Sequence, residues 1–212
     1  MPTRVYLIRH GQTVDAHERR YKGHIDVPLS QEGIRQAQRM SMFLKSLDAR
    51  TGLPPLHCIY CSDLSRAVKT AEAVAQPFGI TPVVHSGLRE RHFGKWEGMT
   101  FDEIKAAYPD EFKNWAADPL NFSPVGGEST MDVSLRLMPV FYGIVNSHKN
   151  ETIALVAHGG VNRVALCHIL GIPLSHIFRV EQDFIALNII EFYDGVPVVK
   201  LMNFVPELCH EE

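Results

Sequence analysis

Long apolar runs are missing from this 212-residue chain. None approaches the ~18 residues that would suggest a membrane span. The opening Met1-Pro2-Thr3-Arg4 leads into a short apolar strand and lacks the long apolar region and cleavage site of a secretory signal. The sequence therefore predicts a cytoplasmic protein with no membrane partner. An excess of one charge is missing too. Lys and Arg number 21 against 24 Asp and Glu, a net charge of −3. That balance argues against a nucleic-acid surface and leaves any anionic ligand to local arginines. Cysteine is scarce: Cys58, Cys61, Cys167 and Cys209. Cys58 and Cys61 make a C-x-x-C, but no second pair and no spaced histidine pair completes a zinc site. A redox motif would open a helix, whereas this one lies in a strand-like run. The reading calls for no metal and no cofactor. Repeats, low-complexity tracts and linkers are absent, so 1–212 reads as a single domain.

What is present is an alternation of strand and helix signals. Arg4 to Ile8 is β-rich and ends at Arg9-His10-Gly11. Ser30 caps a helix with Ile34, Ala37, Ser41, Leu44 and Leu47 on one face. His57 to Cys61 is a second strand, Leu64 to Phe78 a helix, and Thr81 to Val84 a short strand. Thr100 and Glu103 form a capping box before a short helix, and a longer helix is predicted from about Ser129 to His148. Thr152 to Ala157 is wholly apolar and stops at His158-Gly159-Gly160, with a helix from Val161 to Leu170. Two strands, Ala186 to Tyr193 and Val198 to Val205, close the chain around Asp194-Gly195. This order predicts a three-layer α/β/α sandwich. Its central sheet is mostly parallel, with an antiparallel edge and a small helical insert over the site at about 93–129. Ligands of such sheets sit beyond the carboxyl ends of the strands. His10 and His158 each follow directly on a strand.

The residue types at those ends suit phosphoryl transfer without a metal. A neutral imidazole is a competent nucleophile near neutral pH, and its attack on a phosphomonoester would leave a phosphohistidine at His10. Arg9 can grip phosphate oxygens in a forked geometry, and Gly11 would let the backbone approach the anion. Arg66, near the start of the helix after the second strand, adds a second cation at a helix N-terminus. His158 can bond the non-bridging oxygens. Glu90 is the candidate general acid, because a bound phosphate dianion would stabilise its proton. Each residue alone has a plainer reading. Glu90 could be an ion-pair partner of Arg89 or Arg91, and His158 an N-cap or core histidine. Phe93, Trp96, Phe112, Trp115 and Phe122 could form an apolar lid, or Phe112 and Trp115 could simply pack the insert. Arg20, Lys22 and Arg91 could meet a second anionic group or could be surface charges.

The segments Arg9-His10-Gly11-Gln12-Thr13, Gly23 to Ser30, Ser62 to Ala71, Leu88 to Gly98, Gly126 to Ser129 and His158-Gly159-Gly160 together resemble the histidine phosphatase superfamily, the phosphoglycerate mutase-like proteins. The resemblance covers nearly the whole chain. It implies His10 as the phosphorylated nucleophile, Arg9, Arg66 and His158 as the phosphate pocket, and Glu90 as proton donor. It also implies substrate contacts at Gly11, Thr13, Gly23, Arg91 and Gly159. The chain departs from the mutase branch. Ala16 stands where mutases carry Asn, Phe93 where they carry Tyr, and no paired arginines lie between Phe101 and Gly126. The run Trp96-Glu97-Gly98 with Pro124 to Ser129 looks like the small bacterial phosphatases. The expectation is a phosphomonoesterase acting on a small-molecule phosphate ester, with α-ribazole 5′-phosphate the first named candidate. A phosphoglycerate mutase and a catalytically dead phospholigand-binding module are the alternatives. A homodimer is compatible with this reading.

Overall fold

The computed structural model describes residues 1–51 and 54–206; the Cys209–Glu212 run lies outside them. Strand β1 (Thr3–Arg9) sits at the centre, parallel to β4 (Thr152–Ala157) on one side and antiparallel to β5 (Leu187–Tyr193) on the other. Next to β4 lies β2 (Leu56–Cys61), then β3 (Val83–Val84), both parallel to it in direction. Beyond β5 lies β6 (Val196–Phe204), antiparallel to it. The sheet order is β3-β2-β4-β1-β5-β6. The last two strands form the expected antiparallel edge. Their turn residues Asp194 and Gly195 both have positive φ, 49° and 87°, which the tight hairpin requires.

Both faces of the sheet are covered, which is why β1 and β4 read as unbroken apolar runs. Tyr6 and Ile8 of β1 join a core with α1 (Gln31–Thr51) and α2 (Ser65–Ala75), while Val5 and Leu7 join α5 (Thr130–Ser147) and α6 (Gly159–Leu170) on the opposite face. Each fully buried Val, Leu or Ile of these cores contributes about 1.5–3 kcal/mol relative to exposure. Cys58 and Cys61 are assigned to opposite cores, so they cannot act as a pair. Burial pushes the Cys61 thiol up to about 12, leaving it an inert core group.

Helices α3 (Phe101–Ala107) and α4 (Pro109–Ala117) occupy the insert. The capping box of Thr100 and Glu103 is present, and Ser129 with Asp132 caps α5 in the same reciprocal way. Two helix expectations need correction. Ile34 is 39% exposed, and the inward face of α1 is Ala37, Met40, Ser41 and Leu44. The first turn of α1 meets the backbone after β1 too closely for an inward side chain: a Cβ on Gly33 would lie 2.0 Å from the Gln12 carbonyl oxygen. Helix α6 begins at Gly159, not Val161, with His158 as its N-cap. A glycine pair masks a helix start because glycine has low helix propensity.

Candidate active site

Three neighbouring parallel strands, β2, β4 and β1, end side by side, and each end delivers a polar side chain to one cavity of about 580 Å³ or to its floor. His10 follows β1 and donates its backbone N–H to Ala157 at the end of β4, 3.0 Å away. His158 follows β4, and the His10 and His158 rings meet edge to face at 5.1 Å. Ser62 follows β2 and contacts His158, and Arg66 lies in the first turn of α2.

Protonation of these groups follows from their bonds. His10 Nδ1 lies 2.8 Å from the Gly11 carbonyl oxygen and must donate to it. Its Nε2 is then left with a free lone pair on a cavity-lining ring. Burial, then the charges of Arg9 and Arg66, hold the His10 imidazole well below its ordinary range, so it is neutral at pH 7. Leu64 donates its N–H to Ser62 Oγ, leaving the Ser62 hydroxyl proton free to go to His158 Nε2 at 2.8 Å. His158 Nδ1 then carries the ring proton, buried and without a partner among the described residues. Burial, then the neighbouring His10, Arg66 and Arg9, likewise keep His158 neutral.

The arginines are held by backbone carbonyls. Arg9 donates to the Gln182 carbonyl at 2.6 Å and lies 4.0 Å over the Phe184 ring. Burial lowers it to about 10, and it remains a cation at neutral pH. Gly159 packs on it, a Cβ there falling 3.3 Å from Arg9 Nε. Arg66 is 2% exposed and donates to the carbonyls of Ile25 and Gly23 at 2.8 and 2.7 Å. Gly23 has φ +49°, and a Cβ there would strike the Glu97 carboxylate at 2.1 Å. Its place in the motif is to present that carbonyl.

Glu90 perches on the N-terminus of α6. Its Oε2 accepts from the Gly160 N–H at 3.0 Å, and its Oε1 accepts from Val161 at 3.2 Å and from Arg91 at 2.9 Å. Helix N-termini favour such a negative group. The carboxylate also acts electrostatically on Arg9, Arg66 and Arg91. It is not an ion-pair partner of Arg89, which forms a fork with Asp63.

Other expected contacts divide. Thr13, Gly23, Arg91 and Gly159 line the cavity with the five principal residues, apart from His158, which lies beneath them. Gly11 does not line it. Its N–H goes to Thr70 Oγ1 at 3.1 Å, and a Cβ would sit 2.5 Å from the Gly33 carbonyl oxygen. The anion-approach reading of Gly11 is corrected to backbone packing. Gly11→Ala is therefore expected to destabilise the fold by about 1–3 kcal/mol, seen as a lowered midpoint in thermal unfolding. Arg91 spends its donors on Glu128, Thr130 and Phe122, tying the insert to the site, and Arg20 is paired with Glu18 and Glu103. Phe112 packs with Phe101 and Trp115, and Phe122 stacks on Trp96; Phe93, Trp96 and Trp115 face the cavity. Arg19, Arg163, Gln182 and Phe184 also line it and were not expected. The segment holding Gln182 and Phe184 has no pattern that would single it out.

Seven Arg or Lys residues line the cavity against three Asp or Glu, in a chain of net charge −3. The excess of positive charge is local to the cavity.

Known proteins share the sequence pattern and the fold of this chain. The family model described as histidine phosphatase superfamily (branch 1) matches residues 5–205. The bifunctional protein Rv2228c of Mycobacterium tuberculosis is 34% identical over 203 residues, covering 95% of this chain, which spans about half (54%) of that protein's length. Glucosyl-3-phosphoglycerate phosphatase of Mycolicibacterium vanbaalenii is 34% identical over 180 residues, covering 82% of this chain and 76% of that protein. The crystal structure of the α-ribazole phosphatase from Shigella flexneri superposes with a TM-score of 0.85 at 24% identity, covering 98% of this chain and 100% of that one, a likeness of fold.

Proposed function

The chain belongs to the histidine phosphatase superfamily, and on that premise we propose that it hydrolyses a small-molecule phosphate monoester through a phosphohistidine at His10. The observation that carries this is the His10 tautomer: Nδ1 is committed to the Gly11 carbonyl, so the Nε2 lone pair is available beside the buried Arg66 and the half-buried Arg9. A phosphoryl group seated among Arg9, Arg66 and the His158 Nδ1–H has its equatorial oxygens neutralised. His10 Nε2 attacks phosphorus, the ester oxygen leaves with a proton from Glu90, and the Nδ1–H bond steadies the phosphorylated ring. Water then attacks the phosphohistidine as Glu90 takes a proton back, releasing phosphate and restoring neutral His10.

The cavity is far larger than a phosphate. Phe93, Trp96 and Trp115 beside Lys22 and Arg163 support a substrate with a ring or apolar body and further polar or anionic groups, the insert at about 93–129 serving as its cover. α-Ribazole 5′-phosphate has the ring, and glucosyl-3-phosphoglycerate has the extra anion; both belong on the first panel tested.

Turnover of p-nitrophenyl phosphate and a metabolite phosphoester panel with EDTA present is the direct test. Release of phosphate insensitive to EDTA is expected. No turnover by folded protein, strict dependence on added metal, or isomerisation outpacing phosphate release would each overturn the reading. The pH profile adds a second check. Because the His10 imidazole is held below its ordinary range, the neutral nucleophile persists as pH falls through 6.5 and is lost only on the acid side of that value. The nucleophile's limb in kcat/KM is therefore expected below pH 6.5; a limb centred at or above it contradicts the assignment.

A further inference from the structure

At the opposite end of the sheet from the cavity, three side chains that the phosphatase reaction does not use converge. His57 stands at the start of β2, His148 follows the last turn of α5, and Glu151 leads into β4. His148 Nδ1 lies 2.6 Å from Glu151 Oε2, and His57 Nε2 lies 3.5 Å from the same oxygen. The three ligand atoms all fall within 4.8 Å of one another. Among the described residues they are the one such group. We propose that His57, His148 and Glu151 form a binding site for a divalent transition-metal ion of the zinc class, stapling α5 to strands β2 and β4.

The local backbone is arranged for this convergence. Leu56 pairs with Thr152 and Cys58 with Ile153, so His57 is the extra residue of a β-bulge. In a regular strand His57 and Tyr60 would point to opposite faces; the bulge breaks that alternation, and both rings reach His148, at 5.9 and 5.6 Å. The turn carrying His148 and Glu151 is pinned from β1: Thr3 Oγ1 donates to the His148 carbonyl at 3.1 Å and accepts from the Asn150 N–H at 3.0 Å. Asn150 takes φ +63° in that turn.

The chemistry of the donors selects the ion. Two imidazole nitrogens and one carboxylate oxygen suit Zn²⁺, Ni²⁺ or Cu²⁺ rather than Mg²⁺ or Ca²⁺. Ligands about 2.1 Å from a tetrahedral ion lie about 3.4 Å apart, close to the His57–Glu151 separation and reached at His148 by a small outward shift. The other nitrogen of His148 already has a partner, Tyr60 Oη at 2.9 Å. A second-sphere bond of that kind fixes tautomer and ring orientation in histidine–metal sites. Three protein ligands leave one position for water. The site lies a strand's length, roughly 20 Å, from His10. It takes no part in phosphoryl transfer, and its failure would leave that proposal untouched.

Calorimetric titration of the metal-free protein with ZnCl₂ decides it, comparing wild type with His57→Ala and Tyr60→Phe. His57 is 59% exposed, so its removal leaves the fold intact. Wild type is expected to bind one zinc ion, His57→Ala to bind it more than tenfold more weakly, and Tyr60→Phe to lose about tenfold through His148 orientation. With zinc about 100-fold above its Kd, Tm should rise by about 5–10 °C in wild type. Absence of zinc binding in wild type, or equal binding by His57→Ala, overturns the site.

Discussion

Alanine at position 10 is expected to lower kcat on p-nitrophenyl phosphate by a factor of about 10⁵ or more, the cost of removing the group that makes the covalent bond. The second imidazole, beneath the cavity, cannot substitute. His158 has Nε2 on Ser62 and a proton on Nδ1, so it offers no lone pair to phosphorus. The phosphate pocket should outlast the substitution. Arg9 is held by the Gln182 carbonyl and the Phe184 ring, and Arg66 by the Gly23 and Ile25 carbonyls. Of these groups Phe184 packs on the His10 ring, at 5.8 Å, and the three backbone carbonyls do not involve the His10 side chain. Binding of vanadate or inorganic phosphate should therefore change far less than kcat. Acid-labile, alkali-stable label from radioactive substrate should appear on wild type and be missing from His10→Ala. A variant turning over within tenfold of wild type would remove His10 from the mechanism.

Much of this site was legible because its parts are local signals. His10 and His158 each sit directly after an apolar strand, and Arg66 sits in the first turn of the helix after β2. A parallel sheet brings strand ends together whatever the connections do, so adjacency in space followed from the pattern. What the sequence did not disclose depends on tertiary distance. The carbonyl and ring that clamp Arg9 come from Gln182 and Phe184, distant in sequence on the segment leading into the neighbouring strand β5, and a backbone carbonyl carries no side-chain signature. Gly11 looked like an anion contact because a glycine beside a nucleophile has two readings; only the approach of Gly33 separates them. Ile34 fits the α1 period, and the backbone contact at Gly33 turns it to solvent. The His57 bulge is likewise invisible to a period-2 pattern, since it exists only in the register against β4.

Glu90→Gln is expected to slow hydrolysis of alkyl phosphates by about 10²–10⁴ while slowing p-nitrophenyl phosphate by about tenfold or less, because a nitrophenolate leaves with little help from an acid. The comparison matters because the substitution does more than remove a proton. Both carboxylate oxygens accept backbone N–H groups, from Gly160, Val161 and Arg91. The amide NH₂ of glutamine cannot accept, so one donor at the start of α6 loses its partner, at a cost of about 1–3 kcal/mol. That cost falls equally on every substrate and cancels in the alkyl-to-aryl ratio, leaving the proton-transfer contribution. The variant also loses a negative charge beside Arg9, Arg66 and Arg91, so phosphate should bind more tightly and KM should fall as kcat falls. In a plot of rate against leaving-group pKa, wild type should run shallow and Glu90→Gln steep. Parallel lines would leave Glu90 as a positioning residue for α6 and the arginines, with the proton reaching the leaving oxygen from elsewhere.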